Sequence, residues 1–110
     1  MTTTIQQSGN QIIALFDGRL DTAAAVLVAE EVKPLMEAEN QEIILDCTKL
    51  EYISSSGLRI FLSIRKEAAA HGSKVIVRNI NDDIRQVFMM TGFISLFEIQ
   101  SWKRSTCIAR

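Results

Sequence analysis

The chain has 110 residues, of which 47% are apolar and 23% charged, and 12 basic residues nearly balance 13 acidic ones to give a net charge of −1. This size and mixture are typical of one globular domain with its own core, and they exclude a disordered, collagen-like or low-complexity chain. The balanced charge provides no strong field to attract nucleic acid. We therefore expect one domain over residues 1–110, with its core at about 4–100 and no direct nucleic-acid partner.

Cysteine use and hydrophobic runs indicate the compartment. Cys47 ends an apolar run and Cys107 lies in a polar tail, so the two do not suggest a disulfide framework. No apolar run approaches the length of roughly 18–20 residues that a membrane span needs, and residues 1–4 carry no signal-peptide segment. We expect a cytoplasmic protein without membrane insertion.

The first forty residues predict a hairpin followed by a helix. Short β-type runs at 4–7 and 12–16 are separated by Ser8-Gly9-Asn10, a hairpin signal. The stretch 18–22 then breaks the strand and supplies Asp21 or Thr22 as the N-cap of a helix over 22–39. Pro34 predicts a kink or an early end within it. The apolar face of this helix consists of Ala25, Val28, Val32, Leu35 and Met36.

Strands and helices alternate through the rest of the chain. The continuous apolar run 42–47 is typical of a central strand, and a helix is predicted over 58–70. A strand follows at 74–78. A helix is predicted next, with Asn81 as its N-cap, and it continues to about residue 91 and ends at Gly92. A last strand is predicted over 97–99. The second helix is expected to bury Leu58, Phe61, Leu62, Ile64, Ala68 and Ala69. Residues 101–110 could form a final helical turn or a loose tail.

The element order β-β-α-β-α-β-α-β decides the fold class. Strands separated by helices run parallel through right-handed crossovers, and the opening hairpin adds one antiparallel strand. The prediction is an α/β fold: a single domain with a mixed, mostly parallel sheet.

The residue types that enzymes need are mostly missing. Neither phosphate-binding glycine signature is present, and no serine lies in a G-x-S-x-G elbow. No spacing of His, Cys and carboxylates suggests a metal site. The one histidine, His71, lies at a helix end, where the dipole favours it as a capping residue. We expect no catalytic residues, no cofactor and no metal.

One unusual segment, Ser54-Ser55-Ser56-Gly57, lies between a strand and an apolar helix. One of the serines could simply cap the helix. Three hydroxyls exceed that need, however, and a helix N-terminus favours a phosphate placed there. Phosphorylation would add a charge of about −1.5 to −2 to a surface that had presented a neutral hydroxyl. The segment is therefore either a cap or a binding switch.

The stretch 46–58, DCTKLEYISSSGL, resembles the signature of the bacterial anti-sigma-factor antagonists, the STAS domain, whose typical form is D-x-[ST]-x-[LV]-x-[YF]-[IML]-D-S-S-G-L. Residues 18–22, GRLDT, resemble the family's G-x-L-D loop. Both motifs occur in the family's order, and the element order agrees from about residue 4 to 100.

This resemblance implies a small cytoplasmic protein without enzymatic activity. In the family, the antagonist binds an anti-sigma factor that is also a serine kinase, which phosphorylates the serine before the glycine, and a serine phosphatase reverses this. By position that serine is Ser56. Partner-binding positions implied by the motifs are Asp21, Thr22, Ser54, Ser55 and Gly57. Ser54 departs from the family, which most often has aspartate there. The alternative is a STAS interaction module, in a stressosome-like or lipid-transporter assembly, without a phosphorylation cycle.

The start of the second helix offers two further candidates. Ile60 lies about 160° from Leu58 on the helix, outside the centre of the predicted buried arc. It either packs in the core or, with Arg59, belongs to the docking surface beside Ser56. Arg59 could also pair with a phosphate on Ser56.

Overall fold

The structure is a computed structural model that describes residues 1–100. The five strands are β1 (Thr2–Ser8), β2 (Gln11–Leu20), β3 (Glu42–Ile53), β4 (Lys74–Arg78) and β5 (Glu98–Gln100). The helices are α1 (Thr22–Glu31), α2 (Lys33–Met36), α3 (Ser55–Ala70) and α4 (Asp82–Thr91), and a 3-10 turn covers Phe93–Ser95. The residues left open as a turn or tail, 101–110, lie outside the described part of the chain.

The strands form one mixed sheet in the order β1-β2-β3-β4-β5. Strand β1 is antiparallel to β2, and the other neighbours are parallel. Ile43, Ile44 and Leu45 of β3 are all buried, as the apolar run predicted for a central strand. The predicted α/β fold with an N-terminal hairpin is therefore confirmed.

The helix predicted over 22–39 is shorter than expected. Helix α1 ends at Glu31, and the short α2 begins at Lys33. Pro34 has no N–H to bond the carbonyl of Glu30, so the predicted early end is confirmed and the extension to residue 39 is wrong. Four of the five residues predicted for its apolar face are buried, namely Ala25, Val28, Val32 and Leu35.

Helix α3 begins at Ser55, three residues before the predicted start at Leu58, because Ser54 is its N-cap. Its buried side also differs from the prediction. Ala69 is exposed and Leu62 half-buried, whereas Ile60 is buried. The helix contacts α1 and α2 as well as the sheet, so its buried arc extends to the flank that carries Ile60.

The core lies between the sheet and the helices. Phe16 of β2, Phe61 of α3 and Phe88 of α4 are fully buried and packed in series, with ring centroids 5.3 and 6.4 Å apart. Offset and edge-on ring packing of this kind adds to the hydrophobic contribution. Because one ring comes from β2 and one from each of two helices, this cluster holds α3 in place on the sheet.

Candidate functional site

Two loops meet at one edge of the sheet, where β2 and β3 end side by side. Leu20 and Ile53 are register partners on these parallel strands. The backbone N–H of Ser54 donates a 2.9 Å hydrogen bond to the carbonyl of Leu20. The residues that follow, Asp21 after β2 and the serines after β3, therefore leave the same edge of the sheet, where the carboxyl ends of parallel strands meet.

The loop after β2 is organised by Asp21. Its Oδ1 accepts a 2.8 Å hydrogen bond from the backbone N–H of Ala24, so it caps α1. The side chain is also exposed, and Thr22 beside it is exposed as the first residue of the helix. Asp21 thus combines a structural role with a surface position that a partner could contact.

The three serines have different surroundings. Ser54 is buried, and its Oγ accepts a 3.2 Å hydrogen bond from the N–H of Gly57, which makes it the N-cap of α3. Ser55 is exposed and Ser56 is half-buried in the first turn. Neither of their hydroxyls makes a hydrogen bond to any residue among 1–100. The capping role belongs to Ser54, and the other two hydroxyls are available for a different use.

Gly57 lets the first turn of α3 approach the strand ends closely. A Cβ atom at this position would lie 2.8 Å from Cγ of Leu20 and 2.9 Å from Cγ1 of Ile53. Both of those side chains are buried, so neither can move freely away. Glycine is therefore needed here by packing, and the contact fixes Ser56 relative to the loop of Asp21.

The surface beside the serines is mixed in charge and partly apolar. The guanidinium of Arg19 lies over the ring of Tyr52, 4.5 Å from its centroid. Arg59 is exposed one turn into α3. A groove of about 340 Å³ also opens near the end of β3, and it is lined by Arg19, Glu51, Tyr52, Ile53, Asp83, Ile84 and Val87. Such a surface can bind a protein partner through side-chain insertion and charge pairs.

Ile60 does not belong to this surface. Its exposure is 8%, and it is part of the main hydrophobic cluster. Of the two interpretations, this burial agrees with core packing, and the side chain presents little surface to a partner.

The signature aspartate, Asp46, has a structural role that the sequence did not predict. Its Oδ1 accepts hydrogen bonds from the N–H and hydroxyl of Thr48, at 2.9 and 2.6 Å. Its Oδ2 accepts two from Arg78, from Nη2 at 2.8 Å and from Nε at 3.3 Å. Burial alone would raise the pKa of Asp46, but the hydrogen bonds from Thr48 and Arg78 together outweigh it and lower the pKa. The signal in the sequence was Arg78, a charged residue that directly follows the three apolar residues of β4.

Other reactive groups have structural surroundings. Cys47 is fully buried, and burial raises the pKa of its thiol, which keeps it protonated and unreactive. Nδ1 of His71 donates a 2.8 Å hydrogen bond to the carbonyl of Glu67, which confirms its place at the end of α3.

Over residues 1–100, no three His, Cys, Asp or Glu side chains are placed to hold a metal ion. In the same range, no helix is long and apolar enough to cross a membrane.

Comparison with known proteins agrees with this fold. A family profile described as the STAS domain matches residues 2–104, so the chain belongs to the STAS-domain family. The chain is 26% identical over 109 residues to BtrV of Bordetella bronchiseptica, covering 99% of this chain and 94% of that protein. It is 23% identical over 97 residues to the anti-sigma-B factor antagonist of Bacillus subtilis, covering 88% of each.

A solved structure shows the same fold. The Bacillus cell fate determinant SpoIIAA, in its phosphorylated form, superimposes with a TM-score of 0.70 at 19% identity, covering 99% of this chain and all of that one. The strands, helices and loops described above are therefore arranged as in a known STAS structure.

Proposed function

We propose that this protein is an anti-sigma-factor antagonist that is switched by phosphorylation of Ser56. In the unmodified form it binds an anti-sigma factor with serine kinase activity; phosphorylation by that kinase releases it, and a serine phosphatase restores it. The cycle takes place in the cytoplasm, and the protein itself has no enzymatic activity. The observation behind the proposal is that the serines have different hydrogen bonds. Ser54 caps α3, whereas the hydroxyl of Ser56 makes no hydrogen bond to residues 1–100 and lies beside the loop of Asp21.

The relatives support the general role. The Bacillus subtilis relative is named an anti-sigma-B factor antagonist. SpoIIAA is described as an anti-sigma factor antagonist, and its structure is known in both the unphosphorylated and the phosphorylated form. The serine motif and the GRLDT loop of this chain lie on a fold that these proteins share.

The position of Ser56 suits a phosphate physically. The first turn of a helix has free N–H groups and a partial positive charge, so a phosphate there is stabilised and α3 need not unfold. The same phosphate brings negative charge beside Asp21, which caps the neighbouring helix. A partner surface complementary to the neutral serine would then face two negative groups and lose affinity.

The decisive experiment maps the modification. The protein should be isolated from its host with its binding partners, and phosphoserine located by mass spectrometry. We expect one phosphate, on Ser56, and none after Ser56→Ala. The matched control is Ser55→Ala, which removes the neighbouring hydroxyl and should leave the phosphate in place. Phosphate that persists in Ser56→Ala and disappears in Ser55→Ala would contradict the assignment.

A binding measurement tests the switch itself. Ser56→Ala should bind the copurified kinase as tightly as the unmodified protein does. Ser56→Asp, which carries a permanent charge, should bind it at least about tenfold more weakly, the loss that about 1.4 kcal/mol of charge repulsion and desolvation would cause. A stable partner without kinase activity, together with no phosphate on any serine, would instead indicate an interaction module without a phosphorylation cycle. That alternative rests on Ser54, which stands where the family most often has aspartate.

A further inference from the structure

Within residues 1–100, the outer edge of β1 is a long strand edge without the usual protection. Strand β1, residues 2–8, reads TTTIQQS and has no charged residue and no proline. Its register with β2 runs without a bulge from Thr2 opposite Asp17 to Ser8 opposite Gln11. Natural sheets usually protect such edges with charges, proline, bulges or a covering element, because free N–H and C=O groups pair with another strand.

The hairpin geometry shows which backbone groups are free. Ser8 and Gln11 flank the two-residue turn and are therefore a hydrogen-bonded pair. Hydrogen-bonded and non-bonded positions alternate along an antiparallel strand, so Thr3, Ile5 and Gln7 direct their N–H and C=O groups away from β2. These three residues present the free edge.

This edge is complementary to itself. In an antiparallel pair of two β1 strands related by a two-fold axis at Ile5, Ile5 lies opposite Ile5 and Thr3 lies opposite Gln7. The three outward residues of each copy then form about six backbone hydrogen bonds. Along the pair, no charged side chain faces a like charge. A two-fold interface requires this, because each surface meets a copy of itself.

Apolar side chains lie along the same edge on the helix side of the sheet. Ile5 is opposite the core residue Ala14, so it faces the helices, and it is 36% exposed. Met1, before β1, and Leu27 of α1 are 42% and 69% exposed and line one groove of about 300 Å³, whose rim also carries Glu30 and Glu31. A second copy paired through β1 would cover part of this apolar surface, which the single chain leaves in water.

We propose that the free edge of β1 is a dimerisation surface, through which two copies of this chain pair antiparallel about Ile5 and join their five-stranded sheets into one. The occupant is a second copy because the strip is uncharged and self-complementary, and because a chain of net charge −1 repels its copy only weakly. The pairing does not depend on phosphorylation of Ser56, so either proposal can fail without the other.

The test is the mass of the full chain in solution, measured by sedimentation from about 1 μM to about 1 mM protein. We expect the mass to rise with concentration from 12.3 kDa towards twice that value. The charge variant Ile5→Lys would place two lysines opposite each other at the axis, so it should remain a monomer at every concentration. Met90→Lys is the matched control, because Met90 is 84% exposed on α4 and far along the chain from β1; it should dimerise like the unmodified chain.

Two further variants separate loss of pairing from loss of folding. Thr3→Pro removes one outward N–H while leaving the β2 side intact, as prolines on edge strands do, and it should weaken the dimer at unchanged helical circular dichroism. Ile5→Lys mixed with Ile5→Glu should form a heterodimer that neither forms alone, because opposite charges then meet at the axis. An unmodified chain that stays monomeric at about 1 mM, or a dimer unaffected by all β1 changes, would overturn the proposal.

Discussion

Single residues at the carboxyl edge of the sheet determine how the candidate switch is built. Ser54 caps α3, Gly57 allows the helix to touch Leu20, and Ser56 is held between them with a free hydroxyl. Ser54 and Ser56, the same residue type two positions apart, thus have different surroundings. The position of the Ser56 hydroxyl depends on the close approach at Gly57, where an added Cβ would lie less than 3 Å from Leu20 and Ile53.

Gly57→Ala tests that contact at the level of one methyl group. The added Cβ would overlap Leu20 and Ile53, an overpacking that costs about 1–3 kcal/mol, against a gain of up to about 1 kcal/mol in helix propensity. We expect a net loss of unfolding free energy, measured by urea titration, and weaker modification of Ser56. Ser63→Ala, at an exposed position of the same helix, is the control and should change neither. A Gly57→Ala protein as stable as the control would show that the first turn of α3 can shift without cost.

At the level of elements, each helix after β2, β3 and β4 begins at a capping side chain. Asp21 caps α1, Ser54 caps α3, and Asn81 caps α4, each accepting a hydrogen bond from the N–H three residues later. Gly92, in the left-handed conformation at φ 79°, ends α4. These local signals explain why the helix starts follow the strand ends so closely.

Asp21 can be tested for capping and for partner binding separately. Asp21→Asn keeps an oxygen that accepts from Ala24, so the melting temperature should hardly change, whereas Asp21→Ala should lose about 1 kcal/mol of unfolding free energy. If Asp21 also contacts the partner, Asp21→Asn should still weaken binding, because the carboxylate charge is gone. If Asp21→Asn binds the partner as tightly as the unmodified chain does, Asp21 only caps α1 and its charge does not contribute to binding.

For the whole molecule, one buried charge connects the two central strands. Asp46 of β3 is bonded to Arg78 of β4, and Thr48 supplies two further hydrogen bonds. Asn79 extends the set by donating to the hydroxyl of Thr48 at 3.0 Å. Breaking such a group affects the stability of the entire sheet, because a buried carboxylate has no water to replace its partners.

This network predicts a pH dependence. The pKa of Asp46 is lower in the folded protein than in the unfolded chain, where it is about 3.9. Its contribution to stability is therefore fully present above that value and is lost as the pH falls through the lower, folded pKa. Asp46→Asn should be less stable at pH 7, by about 1–3 kcal/mol, and should lose less stability on acidification. The control Glu51→Gln changes an exposed carboxylate and should retain the acid sensitivity of the unmodified chain in urea titrations from about pH 7 to 3.

The sequence by itself determined the element order and Asn81 as the cap of α4, because these follow from local propensities and from the alternation of strands and helices. It also located the serine segment, since a signature motif is a local property of the chain. Only the tertiary structure assigned the cap to Ser54 rather than to Ser56, and placed Ile60 in the main hydrophobic cluster. It alone paired Asp46 with Arg78, which are far apart in the chain. Such contacts depend on which strands and helices become neighbours, and hydrophobic periodicity along one element carries no information about what will cover its sides.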